Sequence, residues 1–179
     1  LITSSNTGAE ALAETASPLL AAKYQKGSKS NATVWRMNSL AQEIGMEETY
    51  FINATGLDES TTQAGAQSSA SDIAELFAYA LRINRAIFAG TARTNMPLGP
   101  INFPEREAHN TNNALFDIEG LIMGKTGTTD LAGGNLAIVF EAGSGHPIIV
   151  VVLGSTVEGR FLDIKKLADA ARKAVGLSR

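Results

Sequence analysis

The sequence predicts an α+β domain in which an antiparallel sheet is flanked by helices. Three observations predict it. Apolar residues recur at helical spacing through the first half of the chain. Three strand-length segments, Leu121–Thr126, Leu136–Glu141 and Ile148–Leu153, then follow one another with turn residues between them. A last amphipathic segment closes the chain, so helices come first, then strands, then a covering helix.

Taken in order, Thr7 and Glu10 form a Thr-x-x-Glu capping box, and Ala9, Leu12, Ala13 and Ala16 share one helical face. Asn6 is therefore expected to project from the loop before that helix. Ser17-Pro18 is expected to end or kink it. The polar, glycine-containing stretch Lys23–Asn31 reads as a surface loop. A second helix is predicted from Thr33 to Ile44, with Met37, Leu40, Ala41 and Ile44 in phase and Gly45 as its stop. Asn53-Ala54-Thr55-Gly56-Leu57 is turn chemistry, followed by a polar loop to Gln67. Ser69 caps a third helix with Asp72 in its first turn and Ile73, Leu76, Phe77, Ala80 and Leu81 as its buried stripe.

A short helix over Asn84–Ala89, a strand at Arg93–Met96 and an irregular segment Pro97–Pro104 come next. Asn110, Asn112 and Asn113 predict a turn held by side-chain hydrogen bonds. Asp130–Gly134 and Gly143–Pro147 turn the meander, and a helix over Phe161–Val175 presents Ile164, Leu167, Ala168, Ala171 and Val175.

Bulk properties bound the function. At 179 residues, 44% hydrophobic and 18% charged, the chain reads as one domain, 1–179, large enough to bury a core. A formal net charge of -3 provides no basic field for nucleic acid. The longest apolar run is strand length, well short of the ~20 residues of a membrane helix, so no transmembrane segment is predicted. The absence of cysteine excludes disulfides, thiolate catalysis and cysteine-ligated zinc. His109 and His146 have no partners at metal-ligand or triad spacing and read as structural or exposed. No metal or cofactor is implied. The chain opens on Leu1-Ile2-Thr3-Ser4 and is read as the remainder of a longer precursor.

Two motifs carry chemistry. Ser4-Ser5-Asn6 stands just before a helix, and Lys125-Thr126-Gly127-Thr128-Thr129 ends a strand more than a hundred residues later. Taken singly, the first is an ordinary helix-preceding loop and the second a surface lysine at a strand end. Together, Ser-x-Asn and Lys-Thr-Gly are two of the three motifs of active-site-serine penicillin-recognising enzymes. Leu40 through Gly45-Met46 into Asn53-Ala54-Thr55-Gly56-Leu57 extends the match, as do Ala132-Gly133, Leu136 and Arg160-Phe161. On these residues the sequence resembles the D-alanyl-D-alanine carboxypeptidases, the low-molecular-mass penicillin-binding proteins. The resemblance covers most of the chain except Ser17–Asn31 and Pro97–Glu107.

The resemblance implies a β-lactamase/transpeptidase-like fold and a serine-type carboxypeptidase acting on peptidoglycan stem peptides. Its chemistry runs through a tetrahedral oxyanion and an ester intermediate. By resemblance, Ser4 relays a proton between the catalytic lysine and the leaving amine. Asn6 donates its amide to the substrate backbone and holds that lysine. Lys125 supplies positive potential, and the Thr128 backbone N–H is one of two oxyanion donors. Gly127 admits the substrate to the strand edge. Arg160, with the Thr126 or Thr128 hydroxyl, is a candidate for the substrate's terminal carboxylate. Taken alone, Arg160 equally reads as a solvated residue at a helix N-terminus.

The third motif, Ser-x-x-Lys, is not met, because no serine of this sequence has lysine three residues on. In the family it precedes Ser-x-Asn, together with the first strands of the sheet. The N-terminal strands and the nucleophile helix are therefore expected to be missing from this chain, and the chain alone is expected to be inactive. A sheet without those neighbours exposes an edge and an apolar face, so the missing segment is expected as a partner. Ser5 also replaces the glycine common in the middle of Ser-x-Asn. A D,D-endopeptidase, a β-lactamase or a non-catalytic module binding peptidoglycan peptides or penicillin remain alternatives on the same fold. β-Lactams are implied ligands, and the family is typically periplasmic or otherwise extracytoplasmic.

Overall fold

The computed structural model describes residues 1–25, 31–99, 106–143 and 145–176. The central part of the predicted loop Lys23–Asn31, most of the irregular segment Pro97–Pro104 and one residue of the turn Gly143–Pro147 lie outside them. The chain divides into two compact units, one formed by Leu1–Ser4, Phe77–Thr128 and Gly133–Arg179, the other by Ser5–Leu76 and Thr129–Ala132.

The second unit opens with α1 (Asn6–Tyr24). Its cap is Ser5, whose Oγ accepts from the Gly8 N–H at 3.0 Å, so the Thr7 capping box is not used and Asn6 is the first helical residue. Pro18 lies inside α1 and does not end it. The lost backbone bond is offset by ties to the turns just before the proline. Thr33 Oγ1 donates to the Ala13 carbonyl at 2.7 Å and lies 2.9 Å from the Oγ of buried Ser17. These bind α1 to α2 (Ala32–Glu43), where Tyr24 and Trp35 rings also meet at 5.6 Å. Gly45 (φ 83°) ends the second helix as predicted.

The polar stretch after α2 hides a small hairpin, β1 (Tyr50–Phe51) with β2 (Ala66–Gln67). Asn38 docks it to α2 by bonding both the N–H and the carbonyl of Phe51, at 2.7 and 2.8 Å. Inside it lies the turn predicted for this segment, held by Asn53 Oδ1 accepting from Thr55 N and Gly56 N. A Cβ at Gly65 would stand 2.0 Å from the Leu57 carbonyl oxygen and 2.5 Å from Asn53 Nδ2. Gly65→Ala is therefore expected to cost about 1–3 kcal/mol or more of stability. An unchanged urea midpoint for that variant would contradict it.

α3 (Ala70–Asn84) starts at Ser69, whose Oγ accepts from Asp72 N at 3.2 Å. Asp72 is buried and accepts from Glu48 N and Thr49 Oγ1 at 2.9 and 2.6 Å. After a 3-10 helix (Arg85–Ala92) comes a second hairpin, β3 (Asn95–Leu98) with β4 (Arg106–His109). The sequence pattern places the first strand two residues earlier, at Arg93–Met96, and gives no sign of the second.

The first unit's sheet has the order β5 (Leu121–Thr129), β6 (Gly133–Glu141), β7 (Pro147–Ser155), with β6 and β7 antiparallel. Leu136, Ile138 and Phe140 alternate along β6 and join Val150, Val152, Ile164 and Ala168 in one core. Ile164 and Ala168 belong to α4 (Gly159–Ala174), which packs on β6 and β7. Ala137 and Val139 on the other face of β6 are also buried, which is why Leu136–Phe140 reads as an unbroken apolar run.

Candidate active site

The first unit brings Ser4 and Lys125 together. Ser4 sits in a tight turn, its N–H donating to the Leu1 carbonyl at 3.1 Å, with its backbone in the left-handed region at φ 52°. For a residue with a Cβ that conformation costs about 1–3 kcal/mol and persists only where surrounding contacts impose it. Here the imposing contacts are buried Ile2, whose carbonyl accepts from Thr111 N at 3.2 Å, and Lys125, whose Nζ donates to Ser4 Oγ at 2.6 Å. Lys125 Nζ also donates to the carbonyl of Thr126.

Alternation along β5 explains why Lys125 can do this. Gly124 and Thr126 are buried, so the intervening Lys125 points from the opposite face, where it is half-buried. Burial lowers its pKa below the ordinary 10.5, and the positive charge of Arg160 adds to the effect. The unfolded chain thus binds more protons than the folded one at pH values between the folded pKa and 10.5. Below that window the full cost of burying the ammonium is present, and the cost is relieved as pH rises through it. Lys125→Met is expected to flatten this rise in stability, and urea melts of both proteins across the window check it. Parallel pH slopes would refute the point.

Arg160 lies in the first turn of α4 and is 7% exposed, so it is not the solvated helix-end residue it could have been. Its Nη1 donates to the Gly127 carbonyl at 2.8 Å and Thr128 Oγ1 at 2.6 Å. Nε is buried with no partner among the described residues. Burial lowers the guanidinium pKa, partly offset by Glu158. A close approach lets α4 begin here: a Cβ on Gly134 would come within 2.3 Å of the Thr156 carbonyl. The result is a cation held at the end of β5 beside the exposed Thr128.

Gly127 differs from such glycines. Among the described residues a Cβ there would meet only Asn135 Cβ, at an ordinary 3.8 Å, and its φ is not in the left-handed region. Neither packing among the described residues nor backbone conformation demands glycine.

Asn6 is the exposed first residue of α1 and belongs to the second unit. Thr126 is buried, with its Oγ1 2.5 Å from Thr111 Oγ1. Thr111 was not singled out in the sequence. It lies between the two asparagines read as turn formers, and only that asparagine cluster hinted at an ordered loop. His109 and His146 are exposed, and His109 Nδ1 pairs with Asn95 Oδ1 at 2.9 Å. Among the described residues no group of three or more His, Cys, Asp or Glu side chains could hold a metal. No helix among them is long and apolar enough to cross a membrane.

Chemically, the arrangement offers a lysine ammonium against a hydroxyl, a second cation and a glycine that leaves the strand surface open. Residues 1–157 match the family described as D-alanyl-D-alanine carboxypeptidase. Among solved structures, the chain is similar to penicillin-binding protein D2 from Listeria monocytogenes in its cefotaxime-bound form. That match has a TM-score of 0.76 and 27% identity over 93% of this chain and 61% of that one. The D-alanyl-D-alanine carboxypeptidase of Mycobacterium tuberculosis matches with TM-score 0.69 and 26% identity, over 94% of this chain and 61% of that one. Penicillin-binding protein 5 from Haemophilus influenzae matches with TM-score 0.64 and 30% identity, over 78% and 38%. The chain thus spans less than two thirds of the length of each. No curated protein matches. The likenesses show the penicillin-binding, transpeptidase-type α+β fold.

Proposed function

Because the chain belongs to the D-alanyl-D-alanine carboxypeptidase family, we propose that it forms part of a serine-type hydrolase that removes the terminal D-alanine of peptidoglycan stem peptides. The observation that carries this reading is the 2.6 Å bond from Lys125 Nζ to Ser4 Oγ. A hydroxyl held against a lysine with a lowered pKa can take a proton on one side and pass one on the other. In this reading Ser4 relays the proton to the leaving amine, and Lys125 keeps the relay electropositive. Asn6 bonds the substrate backbone, and the Thr128 N–H stabilises the oxyanion, worth about 3–4 kcal/mol in comparable sites. Arg160 receives the terminal carboxylate beside the Thr128 hydroxyl. No metal or cofactor takes part.

The acylating serine and its lysine base come from sequence outside these 179 residues, which contain no Ser-x-x-Lys. The site works outside the cytoplasm, where stem peptides and β-lactams are met. A labelled penicillin is expected not to attach covalently to the 179-residue chain. It is expected to attach to a polypeptide that also carries an upstream Ser-x-x-Lys segment. Covalent labelling of the shorter chain would overturn the division of labour. An upstream sequence without that motif would instead favour a binding module.

Gly127 affords a second test. Gly127→Ala is expected to leave the melting temperature within about a degree, since among the described residues its Cβ meets nothing nearer than Asn135 Cβ at 3.8 Å. It is also expected to raise KM for a D-Ala-D-Ala peptide about tenfold by crowding the bound strand. Unchanged KM in the active polypeptide would remove Gly127 from the binding surface.

A further inference from the structure

We infer that Thr111 is a positioning residue that holds the Ser4 segment against β5, so that the Ser4 hydroxyl stays on Lys125. This rests on the functional reading above for its effect on turnover, though not for its geometry.

Thr111 is tied to both halves of the pair. Its backbone N–H donates to the Ile2 carbonyl at 3.2 Å, two residues before Ser4. Its hydroxyl lies 2.5 Å from the hydroxyl of Thr126, the residue next to Lys125. A single residue therefore spans from the N-terminal segment to the strand. A hydroxyl has one proton and two lone pairs, so this bond also restricts the Thr126 rotor.

The loop carrying Thr111 is itself held rigidly. Asn110 Nδ2 donates to the carbonyls of Thr91 and Arg93, both at 2.8 Å, and Asn110 N donates to Thr94 O at 2.9 Å. Asn110 Oδ1 accepts from Asn112 N, and Asn112 Oδ1 from Ala114 N, at 2.9 and 3.0 Å. Thr91 Oγ1 in turn accepts from Gly124 N on β5 at 3.1 Å. Thr111 is thus mounted on a polar frame that is anchored to the strand before Lys125. The strained Ser4 turn needs such an anchor, because nothing in its own conformation favours φ 52°.

The test follows the Lys125 side chain by NMR titration of its Cε in the intact protein. Thr111→Val keeps the shape and removes the hydroxyl. It is expected to loosen the Ser4 segment, admit water and move the Lys125 titration upward by about one pH unit. Thr111→Ser is expected to restore the wild-type curve. In the catalytically competent polypeptide, Thr111→Val is expected to lower kcat about tenfold with serine rescue.

A folded Thr111→Val protein whose Lys125 titrates as in wild type would overturn the inference. So would a serine variant that fails to rescue. Should Thr111→Val not fold, Thr126→Val cuts the same bridge from the strand side and is judged by the same titration. Loss of folding in both would also overturn it, because the bridge would then hold the fold rather than the site. The two readings fail separately. An absence of penicillin labelling and turnover with a responsive Lys125 sinks the proposed function alone. An unresponsive Lys125 in an active enzyme sinks the role of Thr111 alone.

Discussion

Lys125→Met is expected to lower kcat on a D-Ala-D-Ala peptide by about 10²–10⁴-fold in the polypeptide that carries the acylating serine. Methionine preserves much of the side-chain volume and the half-buried packing on β5, and removes the charge and both Nζ hydrogen bonds. Ser4 Oγ then loses its 2.6 Å donor. The loss is expected chiefly in kcat, because a group that moves or stabilises a proton acts in the transition state. The pH profile is the second readout. With Lys125 titrating below 10.5, its limb should be present in wild type and absent from the variant. Retention of wild-type kcat by a folded Lys125→Met protein would remove the lysine from the chemistry and with it the main support for a hydrolase.

Arg160→Met is expected to raise KM for a substrate with a free C-terminal carboxylate roughly 10- to 150-fold, the loss of one charge-assisted hydrogen bond of about 1.5–3 kcal/mol. The prediction comes from where the guanidinium is held. It is buried, its Nη1 spans Gly127 O and Thr128 Oγ1, and it stands over the Phe161 ring at 4.8 Å. Methionine can keep the stacking on Phe161 while giving up the cation. A C-terminally amidated substrate separates recognition from general damage, since its already weak binding should change little. Equal losses for acid and amide would assign Arg160 to the fold of the β5–α4 junction instead.

The parts of this protein that could be read in advance are those whose cause is local. Gly45 stops α2 because it reaches the left-handed region without a Cβ clash. Ser69 and Asp72 start α3 because capping is settled within three residues. Leu136–Phe140 reads as a strand because burial on both faces leaves an unbroken apolar run. The meeting of Ser4 with Lys125 was also foreseeable, though only because two weak motifs occur together in one chain.

Other features depended on partners distant in sequence. Pro18 looks like a helix terminator, yet α1 passes through it, with Thr33 tying down the turns just before it. The hairpin β1–β2 and the strand β4 leave no mark in the sequence because four residues or fewer per strand give no periodicity to detect. Arg160 has the same local signature as a solvated helix-end arginine, and its burial comes from its place against the end of β5, at Gly127 and Thr128.

By itself, then, the sequence determined the stop of α2 at Gly45, the start of α3 at Ser69, the three-stranded meander, the exclusion of thiol chemistry and the pairing of a serine with a lysine. Tertiary structure alone decided how far Lys125 and Arg160 are desolvated, which glycines are demanded by packing, and that Thr111 links the Ser4 segment to β5. The physical reason is range. Capping and alternation act over a few residues, whereas desolvation and long-range hydrogen bonds exist only once segments more than a hundred residues apart, such as Ser4 and Lys125, lie side by side.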